Sequence, residues 1–149
     1  MNITQAITIS RDYILKNNAN FDRIEVCGSI RREKPEVNDI DIVAIPKFDV
    51  GKKKINRFDY NGIQIDIYYA TNQNFDVLKL IRTGSAEHNK MLCITALRKG
   101  WKLHADGRGL MRGEELIDNT EKGILEKLLG KYVEPKDREF HVVKLGEIK

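Results

Sequence analysis

The stretch of sequence that decides the fold reads GSIRR at residues 28–32 and NDIDIV at residues 38–43. Because side chains on a strand alternate between its two faces, Asp39 and Asp41 share one face while the isoleucines beside them point into a core. A third aspartate, Asp66, stands between two isoleucines in a later strand pattern. Clustered carboxylates repel one another unless a cation joins them. Mg²⁺ prefers oxygen ligands and completes its coordination shell with oxygens of water and phosphate. The pattern therefore predicts a metal-dependent phosphoryl- or nucleotidyl-transfer site.

The composition fits one compact domain or two small lobes. The chain has 149 residues, of which 41% are apolar and 32% are charged, enough for a core beneath a well-solvated surface. No apolar run approaches the roughly 20 residues that span a membrane, and the N-terminus lacks the charged-then-apolar pattern of a signal peptide. We therefore expect an intracellular protein, in the cytoplasm or the nucleus, with no membrane partner.

The cysteines and histidines do not indicate a zinc site. Cys27 and Cys93 lack CxxC spacing, and both are expected to be small core side chains. The three histidines are scattered without the spacing of metal ligands. The net charge of +4 and the pI near 9.0 are compatible with a polyanionic partner.

The spacing of apolar residues predicts an α+β chain. Helices are expected at residues 3–17, 75–82 and 86–99 and from Thr120 to Gly130, with Ser85 and Thr120 as N-caps. Strands are expected at residues 23–27, 39–46, 54–60 and 63–70, followed by a small hairpin within residues 101–111.

Two local predictions shape the site. Asn61-Gly62 is a strong hairpin signal, and we expect its return arm to carry Asp66 beside the strand of Asp39 and Asp41. Gly28-Ser29 is expected to be a turn before a short helix that begins at Ile30, with Arg31 on the surface. The character of the sequence changes near residues 71–74, which predicts lobes at 1–73 and 74–149.

These residues resemble the family X DNA polymerases, the polymerase-β-like group, in a minimal palm-plus-thumb form. Gly-Ser, the two arginines after it and the three aspartates form a signature that many other nucleotidyltransferases share. The later part is more specific: Thr83-Gly84-Ser85, then Asn89, then the C-terminal run at residues 132–139 resemble the family's nucleotide-selecting thumb. The resemblance covers nearly the whole chain in order.

The resemblance implies a fold and an activity. Residues 1–73 would form a catalytic nucleotidyltransferase palm, a mixed β-sheet flanked by helices, and residues 74–149 a small α+β thumb. The implied activity is DNA-directed DNA polymerisation, in which dNTPs are added to a primer 3′-hydroxyl with two Mg²⁺ ions, for which Mn²⁺ could substitute. The implied setting is the filling of short gaps in DNA repair by a monomer that binds primed or gapped duplex DNA.

The resemblance also implies roles for single residues. Asp39 and Asp41 would hold both metal ions, and Asp66 would hold the catalytic one. Three further sets of residues are implied: Gly28, Ser29 and Arg32 at the triphosphate; Thr83, Gly84, Ser85 and Asn89 at the sugar and base; and Lys52, Lys53, Lys54 and Lys90 on DNA.

The chain departs from the family pattern at four thumb positions. Ile81-Arg82 replaces an aromatic pair, which implies weaker exclusion of ribonucleotides; Ala86 and Cys93 replace polar residues near the base and the template. A stripped-down palm and thumb of this kind resembles some viral members. Two alternatives stay open: a nucleotidyltransferase with another acceptor, such as a template-independent terminal transferase, and a non-catalytic module that bridges nucleic acids.

Overall fold

The structure, a computed structural model, describes residues 1–139. The elements of its N-terminal part are α1 (Ile3–Asn17), β1 (Phe21–Val26), α2 (Gly28–Arg31), β2 (Asp39–Pro46), β3 (Ile55–Tyr60) and β4 (Ile63–Tyr69). The four strands form one sheet in the order β1-β2-β4-β3, in which only the central β2–β4 pair is parallel.

A tight turn sets the register of the β3–β4 hairpin. Asn61 and Gly62 both have positive φ, at 48° and 87°, which a two-residue hairpin turn of the type I′ kind requires. From that turn Tyr60 pairs with Ile63, and three residues further back Arg57 pairs with Asp66. The hairpin thereby places Asp66 in the middle of the sheet.

The apolar face of this sheet packs against α1. Alternate residues of β2 and β4 point to this side because their side chains alternate faces along each strand. The buried residues of this cluster are Ala6, Tyr13, Phe21, Val37, Ile40, Ile42, Ala44, Ile63, Ile65 and Ile67.

The C-terminal part combines three α-helices with a small antiparallel sheet. Its elements are α3 (Phe75–Thr83), α4 (Ala86–Arg98), β5 (Lys102–His104), β6 (Gly109–Arg112), β7 (Glu115–Asp118) and α5 (Glu121–Leu129), and the strand order is β5-β6-β7. A second buried cluster holds these elements together: Val77, Leu80, Ile81, Leu92, Ala96, Leu103, Leu110, Ile124, Leu125 and Leu128.

Side chains cap the helices of this part as expected. Ser85 accepts a hydrogen bond from the backbone N–H of His88 at the start of α4. Thr120 does the same for Gly123 at the start of α5, which ends at Gly130 in the left-handed conformation.

The predicted α+β class is confirmed, and one local prediction is wrong. Gly28 and Ser29 are the first residues of α2, so the helix begins two residues before Ile30 and replaces the expected turn. The expected hairpin is present as the antiparallel pair β5 and β6, and the chain turns again at Gly113 to add a third strand, β7. No helix among residues 1–139 is long and apolar enough to cross a membrane.

Candidate active site

The strand register brings the three aspartates to one face of the sheet. Asp41 on β2 lies directly opposite Asp66 on the parallel strand β4, and Asp39 lies opposite Gln64. Asp39 is exposed, whereas Asp66 is only 4% exposed. The two central strands therefore supply a graded row of carboxylates, from solvent into the molecule.

The pKa of Asp41 reflects its burial and the neighbouring carboxylates. Burial, followed by the charges of Asp66 and Asp39, raises the pKa of Asp41 to about 6, although Arg82 and Arg32 act in the opposite direction. Burial and the neighbouring negative charges therefore outweigh the positive charge of the two arginines. Hard carboxylate oxygens short of positive charge are the donor set that suits a divalent ion such as Mg²⁺.

Asp66 differs from Asp41 because its carboxylate forms an ion pair with an arginine. Arg57 on the neighbouring strand β3 donates from Nε to Oδ1 of Asp66 at 2.7 Å and from Nη2 to Oδ2 at 3.5 Å. Gln64 also donates to Oδ1, at 3.1 Å. In the part of the chain that the structure describes, no three His, Cys, Asp or Glu side chains are arranged to enclose a metal ion.

Gly28 allows α2 to lie against β2. It has a φ of +61°, and a Cβ built there would overlap Oδ2 of Asp41. The backbone N–H of Cys27 donates to the carbonyl of Asp41 at 2.7 Å, which ties the two elements together. Glycine is needed here both for its positive φ and for its lack of a side chain. Ser29, the next residue of α2, is partly exposed.

Arg32 connects α2 with the C-terminal part. Its Nη1 donates to the carbonyl of Thr83 at 2.6 Å, and its Nε donates to Oε1 of Glu139 at 3.0 Å. Gly84 makes room for this guanidinium, because a Cβ there would lie 3.1 Å from Nη1. The structure thus brings Arg32, Thr83 and Gly84 together.

Ser85 and Asn89 hold the junction between α3 and α4. The Nδ2 of Asn89 donates to the carbonyl of Ile81 at 2.8 Å, and its Oδ1 is buried without a hydrogen-bond partner among residues 1–139. The backbone N–H of Ser85 donates to the carbonyl of Arg138 at 3.1 Å. Both residues therefore organise the backbone at the end of α3.

The four lysines expected on DNA do not form one cluster. Lys52, Lys53 and Lys54 are exposed just before β3, beside a surface cavity of about 690 Å³ that none of the three aspartates lines. Lys90 is exposed on α4, in the other lobe.

Sequence reasoning missed a buried charge network. Arg31, expected on the surface, donates to both carboxylate oxygens of Glu121, at 2.5 and 2.8 Å, and to Oγ1 of Thr83 at 2.8 Å. Arg138, which is fully buried, donates to Glu121 as well, at 2.8 Å. Burial opposes ionisation of Glu121, but the two arginines prevail and lower its pKa. This network joins α2 to α5 and to the last described residues.

Two more arginines near the aspartates were also missed. The guanidinium of Arg82 lies 4.1 Å from the ring centroid of Tyr68, which shares the face of Asp66. Arg57 could have been found, because counting back from the Asn61-Gly62 turn pairs it with Asp66. For Arg82 the only signal was its position at the end of a helix that leads into Gly84.

Comparison with known proteins finds a matching family model and similar solved structures. A family model described as DNA polymerase beta thumb matches residues 79–139. Among solved structures, polymerase beta of Leishmania infantum, titled as a ternary P/T complex, matches with a TM-score of 0.70 and 14% sequence identity. That match covers 93% of this chain and 76% of the other. Comparison with curated proteins finds no match.

Proposed function

We propose that this chain, a family X polymerase-like protein, is a metal-dependent DNA polymerase that adds dNTPs to the 3′-hydroxyl of a primer. The observation that carries the proposal is the direct pairing of Asp41 with Asp66 on parallel strands of a lobe joined to a polymerase-β-type thumb. We assign residues 1–73 to the palm and 74–149 to the thumb. The proposed task is filling of short gaps in DNA repair, by a monomer that acts inside the cell.

Asp39, Asp41 and Asp66 would hold two Mg²⁺ ions, and Mn²⁺ would substitute. The donor chemistry fits, because burial and the charges of Asp66 and Asp39 together raise the pKa of Asp41. Bound there, two divalent ions would activate the primer hydroxyl and neutralise the charge that develops on the triphosphate. Little covalent chemistry is left to the protein in phosphoryl transfer, so its own residues bind and orient.

The residues around α2 are proposed to bind the triphosphate. Ser29 offers a hydroxyl at a partly exposed position. The bonds of Arg32 to Thr83 and Glu139 use Nη1 and Nε, so Nη2 is the nitrogen that can serve a phosphate oxygen. An arginine is suited to this task because its planar guanidinium pairs with phosphate in a fixed geometry.

The junction of α3 and α4 is proposed to lie under the sugar and base. Residues 83–85 and Asn89 form one structural unit. Within it, the amide oxygen of Asn89 has no hydrogen-bond partner among residues 1–139. Arg82 stands where the family has an aromatic residue, so its flat guanidinium would border the sugar. We propose that ribonucleotides are excluded only weakly.

The test is extension of a primer on a gapped duplex, with each dNTP and rNTP offered opposite each template base. Asp66→Asn should keep the fold and abolish extension, because the amide cannot replace a carboxylate ligand. Asp22→Asn is the matched control, since Asp22 is an exposed aspartate on β1 and should extend like the wild type. Extension by Asp66→Asn at the wild-type rate would reject the assigned role.

The same assay separates the two alternatives. Extension of a single strand, indifferent to the template base, would identify a terminal transferase. DNA binding without any release of pyrophosphate, whichever divalent ion is supplied, would identify a bridging module.

We propose that four lysines contact the DNA backbone: Lys52, Lys53, Lys54 and Lys90. Neutralising each of them should lower the salt dependence of DNA binding by about one counterion.

A further inference from the structure

Arg57 is a cation placed on the most buried of the three carboxylates. It lies on β3, the edge strand of the sheet, and 57% of its side chain is exposed, whereas only 6% of the Asp66 side chain is exposed. Its guanidinium therefore covers Asp66 from the solvent side. None of the functional assignments above uses this residue.

The contacts of Arg57 occupy atoms that a metal ion would need. Nε of Arg57 donates to Oδ1 of Asp66 and Nη2 donates to Oδ2. Gln64 donates a further hydrogen bond to Oδ1, so the carboxylate accepts three in all. A carboxylate has a limited set of lone pairs, and the guanidinium cannot lose its proton to vacate them. A cation can take these oxygens only if Arg57 moves away.

The positive charge is distributed unevenly over the three aspartates. Among residues 1–139, neither Asp39 nor Asp41 forms an ion pair, whereas Asp66 has one at 2.7 Å. Arg82 and Arg32 influence Asp41 through their charges without forming an ion pair with it among residues 1–139. Arg57 thus neutralises Asp66 alone.

The exposure of Arg57 gives it a second partner when it leaves. An arginine at an exposed strand edge can pair with a backbone phosphate of DNA, with the same two-pronged geometry that it uses on a carboxylate. The exchange conserves charge balance, because the arginine moves from a carboxylate to a phosphate while a divalent ion takes over the carboxylate.

We propose that Arg57 is a displaceable counter-ion of Asp66, and that a phosphate of the bound DNA draws it away and so opens Asp66 to the metal ion. Arg57 is then a positioning residue that couples DNA binding to metal binding. By linkage, DNA raises the affinity for the ion by the same factor by which the ion raises the affinity for DNA. This inference rests on the proposed function of the aspartates.

The test measures Mn²⁺ affinity of the full chain by titration calorimetry, with and without a primed duplex and without nucleotide. Arg57→Gln should bind Mn²⁺ up to about fivefold more tightly than the wild type in the absence of DNA, the range that a partly exposed ion pair can hold back. Adding DNA should raise the Mn²⁺ affinity of the wild type by a similar factor and that of Arg57→Gln hardly at all. Arg57→Lys should fall between the two.

The controls separate the failure of this inference from failure of the proposed function. Arg112→Gln removes an exposed arginine that pairs with Glu115 at 2.6 Å on the other sheet, and it should behave as the wild type. If Asp66→Asn binds Mn²⁺ as tightly as the wild type, the proposed metal site is wrong. If Asp66→Asn loses Mn²⁺ binding but Arg57→Gln binds Mn²⁺ equally or less tightly than the wild type, the site stands and Arg57 is only a structural contact.

Discussion

Replacing Asp41 by asparagine should stabilise the metal-free protein at pH 8. Burial and the charges of Asp66 and Asp39 raise the pKa of Asp41 to about 6 from its ordinary 3.8. The folded state therefore holds a proton that the unfolded state has released between these two values, and stability falls as the pH rises through that window. At one pKa unit per ~1.36 kcal/mol, the cost of the ionised carboxylate is at most about 3 kcal/mol.

The expected gain is smaller than this limit. Asp41 is partly exposed, so water and small shifts of its neighbours relieve part of the repulsion. We expect Asp41→Asn to raise the free energy of unfolding by roughly 2 kcal/mol at pH 8 and by close to zero at pH 4, where the wild-type Asp41 is largely protonated in the folded state.

Urea unfolding in EDTA, at both pH values, measures the difference. Asp22→Asn removes an equal charge from an exposed position and should show no such dependence on pH. Saturating Mg²⁺ should close the gap, because an ion that binds only the folded wild type stabilises it. If Asp41→Asn loses stability by the same amount at pH 4 and pH 8 in EDTA, the aspartates do not strain the fold and the reasoning is refuted.

Three further substitutions test the framework around the site. Glu121→Gln removes the negative partner of Arg31, which is largely buried, and of Arg138, which is fully buried. The free energy of unfolding in urea should therefore fall by about 3–5 kcal/mol. Gly28→Ala combines a positive φ with an overlap on the Asp41 carboxylate and should lower stability by about 2–4 kcal/mol, read in the same assay. Thr120→Ala removes the N-cap of α5 and should cost about 1 kcal/mol, with no loss of Mn²⁺ binding in calorimetry.

The parts of the fold that local signals control could be predicted from the sequence. Asn61-Gly62 requires two residues with positive φ, and that turn alone determines which residues of β3 and β4 face each other. The caps at Ser85 and Thr120 were predicted for the same reason, because each depends on a side chain and an N–H only three residues apart.

Contacts between residues far apart in the sequence could not be predicted. Arg31 and Glu121 are separated by 90 positions, and nothing in the helical pattern around Arg31 indicates a buried acid at that distance. The third strand of the small sheet was missed because β7 is only four residues long and half polar. Arg57 was missed too, although counting back from the Asn61-Gly62 turn would have paired it with Asp66.

The arginines around the site explain why Asp41 lacks a paired protein cation. Four guanidinium groups lie there: among residues 1–139, Arg31 pairs with Glu121, Arg32 with Glu139 and Arg57 with Asp66, whereas Arg82 stacks on Tyr68. The pKa of Asp41 is raised, first by burial and then by the charges of Asp66 and Asp39, in a chain whose net charge is +4, so the local surroundings and not the overall charge set its pKa. A triphosphate alone would add negative charge to this face, where Arg82 is the one of these four arginines without an acidic partner among residues 1–139. Under the proposed function, a nucleotide that arrives with its divalent ion would supply positive charge itself, and these side chains would then favour the ion–nucleotide complex over either component.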